Sequence, residues 1–425
     1  MPEVISSKRR LLISAACAAC ATSGAVFAPM IWARSAPSFK NARLILVFLR
    51  GAYDGISATV PYADADYARN RPNIAIPVPD GGSESALRLD QTFALHPALA
   101  PLLPLWHSGV LSFLPSAGSP DPTRSHFEAQ LHWEIGQPGK SNAPAGWLNT
   151  LAGFGADGAD SAGSVDSAAD PLAIGVGEAN PKILSGPAAV RLIPKGNSAM
   201  REGVLAHDRT RQALLDLYAG QDAIAKAFRQ GADSRMASAQ ELSSEAMAAD
   251  NGAASAAGLL LDAQHLGTLM RNDRRLRIGF LSAGGWDTHA NQGMTNGLLA
   301  RNFTSLGQAL AQLRRDFSEP GDLIVVASEF GRTAAENGTR GTDHGHGNTL
   351  MLLGNRVNGG RWHGQWSGLS KGNLNEGRDL PVHHDFRSVF AEVLRTGFGL
   401  GERHLQDLFP GARFDAGLRS LFKTA

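Results

Sequence analysis

Two apolar runs, Leu323–Ala327 and Thr349–Leu353, bracket a stretch of polar residues and glycines, and this pairing limits the folds open to the chain. Each run has the length and side-chain content of a buried parallel strand. Glu329 stands where the first run ends, and Asp343, His344 and His346 stand just before the second begins. Parallel sheets gather their ligand sites at the carboxyl ends of strands, so acids and imidazoles placed there point to chemistry first. Glycines at 341, 345 and 347 are expected to let the backbone turn tightly around the two histidines.

The same kind of run recurs along the chain. Arg43–Leu49 is a strong first strand leading into Gly51-Ala52-Tyr53-Asp54-Gly55, Val110–Pro115 a second, Leu172–Val176 a third and Arg277–Leu281 a fourth. The two opening runs complete a minimum of six. Helical spacing is clearest between the fourth and fifth, where Leu299, Phe303, Leu306, Leu310, Leu313 and Phe317 recur before Glu319-Pro320-Gly321 stops the pattern. Strands separated by helices predict an α/β fold, a three-layer sandwich with a mostly parallel central sheet covered on both faces. Two segments interrupt the rhythm. Residues 155–170 are low in complexity and read as a surface loop or insertion, and residues 207–270 read as two or more helices decorating the sheet.

The N-terminus reads as an export signal. Ser7-Lys8-Arg9-Arg10-Leu11-Leu12 sets paired arginines ahead of an apolar, small-residue segment, and Ala33-Arg34-Ser35 offers a cleavage pattern before Ala36. Residues 1–36 thus resemble a twin-arginine signal, which predicts a partner in the twin-arginine export machinery and a folded, periplasmic product in residues 37–425. An N-terminal anchor is the competing reading, but the segment is only marginally long enough to span, and no stable span is expected after cleavage. Both cysteines, Cys17 and Cys20, fall inside it, so the mature chain has neither a Cys nucleophile nor a thiolate metal site. Removing this segment leaves 36 basic and 38 acidic side chains, which gives no reason to expect a nucleic-acid partner.

The residues that carry chemistry are spread over four strand ends. Asp54 follows the first strand, Ser125 opens a helix after the second, Asp287 and His289 follow the fourth, and Glu329, Asp343, His344 and His346 follow the fifth. Carboxylates and imidazoles suit Zn²⁺, Mn²⁺ or Mg²⁺, and their number suffices for one or two ions. A serine at a helix N-terminus adds exposed N–H groups that favour a small anionic ester substrate.

The runs GAYDG (51–55), HPAL (96–99), TRSHFEAQ (123–130), GGWDTHANQ (284–292), SEFGRT (328–333) and GTDHGHG (341–347) resemble the motifs of the DUF1501 family over essentially the whole mature chain. That family is grouped by fold with alkaline phosphatases and sulfatases. The resemblance implies a metal-binding, hydrolase-like core in which Asp54 matches the first-strand aspartate, Ser125 takes the nucleophile's place, and Asp287 with His289 supplies further ligands. Glu329 would stand where those enzymes have Asp followed by His, but here Phe330 follows and the histidines come at 344 and 346.

Competing structural readings stand beside these. Ser125-x-x-Glu128 is also a capping box, Asp54 between glycines is also a turn residue, and Arg332 is either an anion clamp or the partner of Glu329. His383-His384-Asp385 forms a second cluster, with Asp385 read as a helix N-cap, and His96 before Pro97 reads as a loop or cap residue. The expected function is metal-assisted hydrolysis of a phosphate or sulfate ester, with Ser125 and Arg332 catalytic and Asp54, Asp287, His289, Glu329, Asp343, His344 and His346 holding metal. The alternative is a non-catalytic periplasmic binding or assembly module. A redox role finds no dinucleotide-binding glycine pattern to support it.

Overall fold

The computed structural model describes residue 39 and residues 42–159, 171–177, 180–200, 205, 207–250 and 258–423. All of them belong to one compact unit, Ala36–Ala425. Residues 1–36, expected to form a twin-arginine signal, lie outside the described residues.

All six expected strands form. The long strands are β1 (Arg43–Leu49), β2 (Leu111–Gly118), β3 (Ala173–Val176), β4 (Val190–Ile193), β5 (Ile278–Ala283), β6 (Asp322–Ala327) and β7 (Asn348–Gly354). They lie in the order β2-β7-β6-β1-β5-β3-β4, and the two-residue strands Arg361–Trp362 and His384–Asp385 add to β2. β1 pairs in parallel with β5 and β6. Every residue of β1 is buried, because both faces of the sheet are covered. Leu44, Leu46 and Phe48 pack with α1 (His126–Ile135), α2 (Trp147–Ala159) and α7 (Phe386–Phe398). Ile45, Val47 and Leu49 pack with α5 (Gly258–Asn272) and α6 (Leu298–Asp316) on the other face. The fold is therefore mixed α/β, with a mostly parallel central sheet between helices.

The structure departs from the sequence reading in three places. β7 runs antiparallel to both β6 and β2, where a parallel strand was expected. Residues 328–347 contain no helix, so nothing carries the chain to the opposite edge of the sheet, and it must re-enter from the edge it left. This reversal places the amino end of β7 beside the carboxyl ends of its neighbours. Residues 155–159, expected in a loop, continue α2, while 160–170 lie outside the described residues. A small sheet of Thr59–Val60, Ala94–Leu95 and Leu87–Arg88 was not foreseen, since two-residue strands carry no readable period. The helical region resolves into α3 (Asp208–Leu217), α4 (Ala223–Asp250) and α5. Among the described residues no helix is long and apolar enough to cross a membrane.

Candidate metal centre

Four loops meet at the carboxyl edge of β1, β2, β5 and β6. Their central group is Asp287, reached by three imidazoles. His289 Nε2 lies 3.0 Å and His344 Nε2 3.2 Å from Asp287 Oδ1, and the two ring nitrogens are 3.0 Å apart. His126 Nε2 lies 3.5 Å from Asp287 Oδ2. Side-chain donor atoms of His126, Asp287 and His344 all fall within 4.8 Å of one another, a grouping that could hold a metal ion.

Each imidazole is oriented from behind through Nδ1. His344 Nδ1 is 2.9 Å from the Arg124 carbonyl, His126 Nδ1 is 2.8 Å from Glu329 Oε1, and His289 Nδ1 is 3.2 Å from Asp343 Oδ1. All three partners can only accept, the carboxylates being ionised, so a neutral ring carries its proton on Nδ1 and a bare lone pair on Nε2. Three lone pairs and a carboxylate thus converge on one region. The His126 Nε2 atom is buried without a hydrogen-bond partner. Such a donor set fits a divalent cation, and the carboxylate or carbonyl behind each histidine is the usual arrangement around imidazole metal ligands. On the side away from the sheet, the Asp287 and His289 side chains are 44 % and 43 % exposed, so the group is open to a small molecule.

The electrostatics sharpen the picture. Burial opposes the charge on Asp287, but the Arg332 hydrogen bond and charge, helped by His344, hold its carboxyl at about 2. Burial likewise works against Glu329. Hydrogen bonds from His126, Gln130 and the Gly51 N–H outweigh it and keep that carboxyl below its ordinary range. The Glu329 hydrogen bond raises the His126 pKa, while burial lowers that of His344.

Of the expected ligands, the structure brings Asp287, His289 and His344 together and adds His126. Glu329 and Asp343 stand behind histidines instead of facing the cluster. His346 is turned away, with Nε2 2.9 Å from the Ser119 carbonyl. Asp54 is fully buried and bonded to Arg71, at 2.7 Å, as well as to Ser57 and Gln292. Arg332, expected as an anion clamp or the partner of Glu329, is instead buried and donates to Asp287 and to the carbonyls of Gly51, Ala52, Trp286 and Thr342. Its side chain is 0 % exposed, so it does not reach a substrate. Ser125 is the N-cap of α1, its side chain accepting the Glu128 N–H, and Glu128 reaches back to Thr123 Oγ1 rather than to Ser125 itself. His96 and Asp385 are N-caps as read from sequence.

The glycines of the histidine loop have a different reason from the one expected. None of 341, 345 and 347 has a positive φ. A Cβ on Gly341 would stand 2.3 Å from the His289 backbone, so the need there is for close approach between the loops that carry His289 and His344. Sequence reasoning missed His126 because TRSHFEAQ drew attention to its serine. The available signal was position, since an imidazole directly after an N-cap faces the strand ends that the helix N-terminus faces.

A family model described as a protein of unknown function, DUF1501, matches residues 41–409. A search among curated proteins finds no match.

Proposed function

The chain belongs to the DUF1501 family, and from that membership together with the geometry around Asp287 we propose that it is an exported, metal-dependent hydrolase of phosphate or sulfate esters. One observation carries the reading: the Nε2 atoms of His289 and His344 sit 3.0 Å apart beside Asp287 with both Nδ1 atoms already committed to acceptors. Two imidazole lone pairs and a carboxylate crowd together stably when a cation lies among them. Three imidazoles and one carboxylate favour Zn²⁺ over Mg²⁺, which prefers oxygen ligands. One ion is proposed rather than two, because Arg71 already neutralises Asp54 and Ser119 holds His346. The likeness to alkaline phosphatases and sulfatases, and folded export by the twin-arginine route to the periplasm, belong to the same proposal.

When bound, the ion supplies Lewis acidity, polarising an ester oxygen and making water a better nucleophile near neutral pH. The chain's own residues do the rest. His126, His289, His344 and Asp287 hold the ion, Glu329, Asp343 and the Arg124 carbonyl fix the three ring orientations, and Arg332 keeps Asp287 charged. α1 begins at His126, so the positive end of its dipole lies at the cluster and favours an anionic group there. Ser125 serves as the cap of that helix, and water is the attacking group.

Protein purified without chelator should contain about one zinc per chain, and His126→Ala and His344→Ala should each weaken binding at least tenfold, read by metal analysis and competition with a chromophoric chelator. A panel of phosphate and sulfate esters then tests turnover. Ser125→Asn keeps a cap acceptor but no hydroxyl, so it should keep turnover within a few-fold of wild type. A wild-type chain that neither contains nor takes up a divalent ion would overturn the reading.

A further inference from the structure

Beside the histidines opens a concavity of about 390 Å³, within the size range of small-ligand sites. None of the four cluster residues lines it, but three residues bonded to them do. Asp343 lines it and accepts from His289; Asn337 lines it and donates to both Asp343 and the His289 carbonyl; Arg378 lines it and donates to the His344 carbonyl at 2.9 Å. A molecule held by one group at the cluster would extend into this space.

The charges of the lining are unevenly committed. Its acids are engaged: Glu336 accepts the N–H groups of Asn73 and Ile74, Asp66 pairs with Arg69, and Asp343 takes Asn337 and His289. Lys371, also in the lining, is exposed and makes no hydrogen bond or ion pair among the described residues. Arg378 stands 3.9 Å from Asp379 and is 45 % exposed. That aspartate already accepts from Arg124 at 3.2 Å and from Asn375 at 2.9 Å. Two cationic side chains with spare donors therefore line an opening in which each acid already accepts a hydrogen bond or an ion pair.

We propose that this concavity is the subsite for a second anionic group on the substrate, so that the ester cleaved at the cluster carries a carboxylate or further phosphate on its leaving group. The inference rests on the metal reading of the neighbouring cluster. Arg378 is suited to such a group because its planar fork matches carboxylate and phosphate oxygens, and Lys371 adds a mobile point charge.

Calorimetric titration of the zinc-loaded chain with three probes tests this: glycerol 3-phosphate, 3-phosphoglycerate and 1,3-propanediol bisphosphate. One or both doubly anionic probes should bind at least tenfold more tightly than glycerol 3-phosphate, and which of them does so identifies the second group as carboxylate or phosphate. Lys371→Met, which leaves the Arg378 bond to His344 untouched, should cut that preference to within about threefold while metal content stays at wild-type level. Bound metal with equal affinity for all three probes overturns the subsite alone, as does a preference that survives in Lys371→Met, whereas bound metal with none of the probes binding overturns the subsite and the phosphate-ester reading together. A chain that retains no metal overturns the underlying reading and the subsite with it.

Discussion

His96 is fully buried and uses both ring nitrogens, Nδ1 accepting the Ala98 N–H and Nε2 donating to the Met294 carbonyl. Protonation would sacrifice the first of these bonds. Burial lowers its pKa to about 4, against smaller upward pulls from the Met294 bond and the charge of Asp54. The unfolded chain takes up that proton near pH 6.5, well before the folded chain does, so this contribution is intact above about 6.5 and fades as pH falls toward 4. Its size is on the order of 3 kcal/mol. His96→Asn retains a capping oxygen and removes the titration, so the stability gap between wild type and variant, measured by urea unfolding of metal-free protein, should narrow steadily from pH 7 to pH 4.5. A constant gap would refute the assignment. The cap role of His96 was legible because Pro97 follows it and proline favours the first turn of a helix. The buried partners of Asp54 were not, since nothing in GAYDG announces an arginine 17 residues further on.

At the level of elements, unbroken apolar runs marked every long strand of the central sheet except Val190–Ile193, whose alternating burial makes it a weaker signal. Direction was less legible than existence, because a run such as Thr349–Leu353 looks the same whichever way it pairs. The helical turn Gly55–Ala58 after β1 depends on a pair of side chains from separate segments: Asp54 caps it, and Arg71 neutralises Asp54, both at 0 % side-chain exposure. Arg71 also donates to the carbonyls of Thr333 and Ala334, tying this turn to the loop after β6. Arg71→Met strands a buried carboxylate and should cost about 3–5 kcal/mol of stability. Asp54→Asn in the same chain should recover part of that loss. Asp54→Asn alone should leave the metal stoichiometry at the wild-type value, and a fall in metal content would return Asp54 to the ligand set.

Over the whole molecule, the residues of the cluster come from loops as far apart in sequence as His126 and His344, so the cluster exists only once the sheet has formed. Replacing both Arg9 and Arg10 with Lys should leave full-length precursor in the cytoplasm, followed by fractionation and immunoblotting; mature periplasmic protein from that variant would rule out twin-arginine export. The position of β1 adds a constraint of timing. Phe48 pairs with Ser282 on one side and with Ala327 on the other, so the central strand emerges from the ribosome near the start of synthesis and waits for both neighbours until about 280 further residues have been made. At roughly 5–20 residues per second, that wait lasts on the order of 15–60 s. Throughout it Arg43–Leu49 is an apolar strand with two open edges, the kind of segment that chaperones bind and that aggregates when they do not. On the proposed export reading, the address in residues 1–36 is displayed from the outset, whereas the cargo it would certify as folded is finished last.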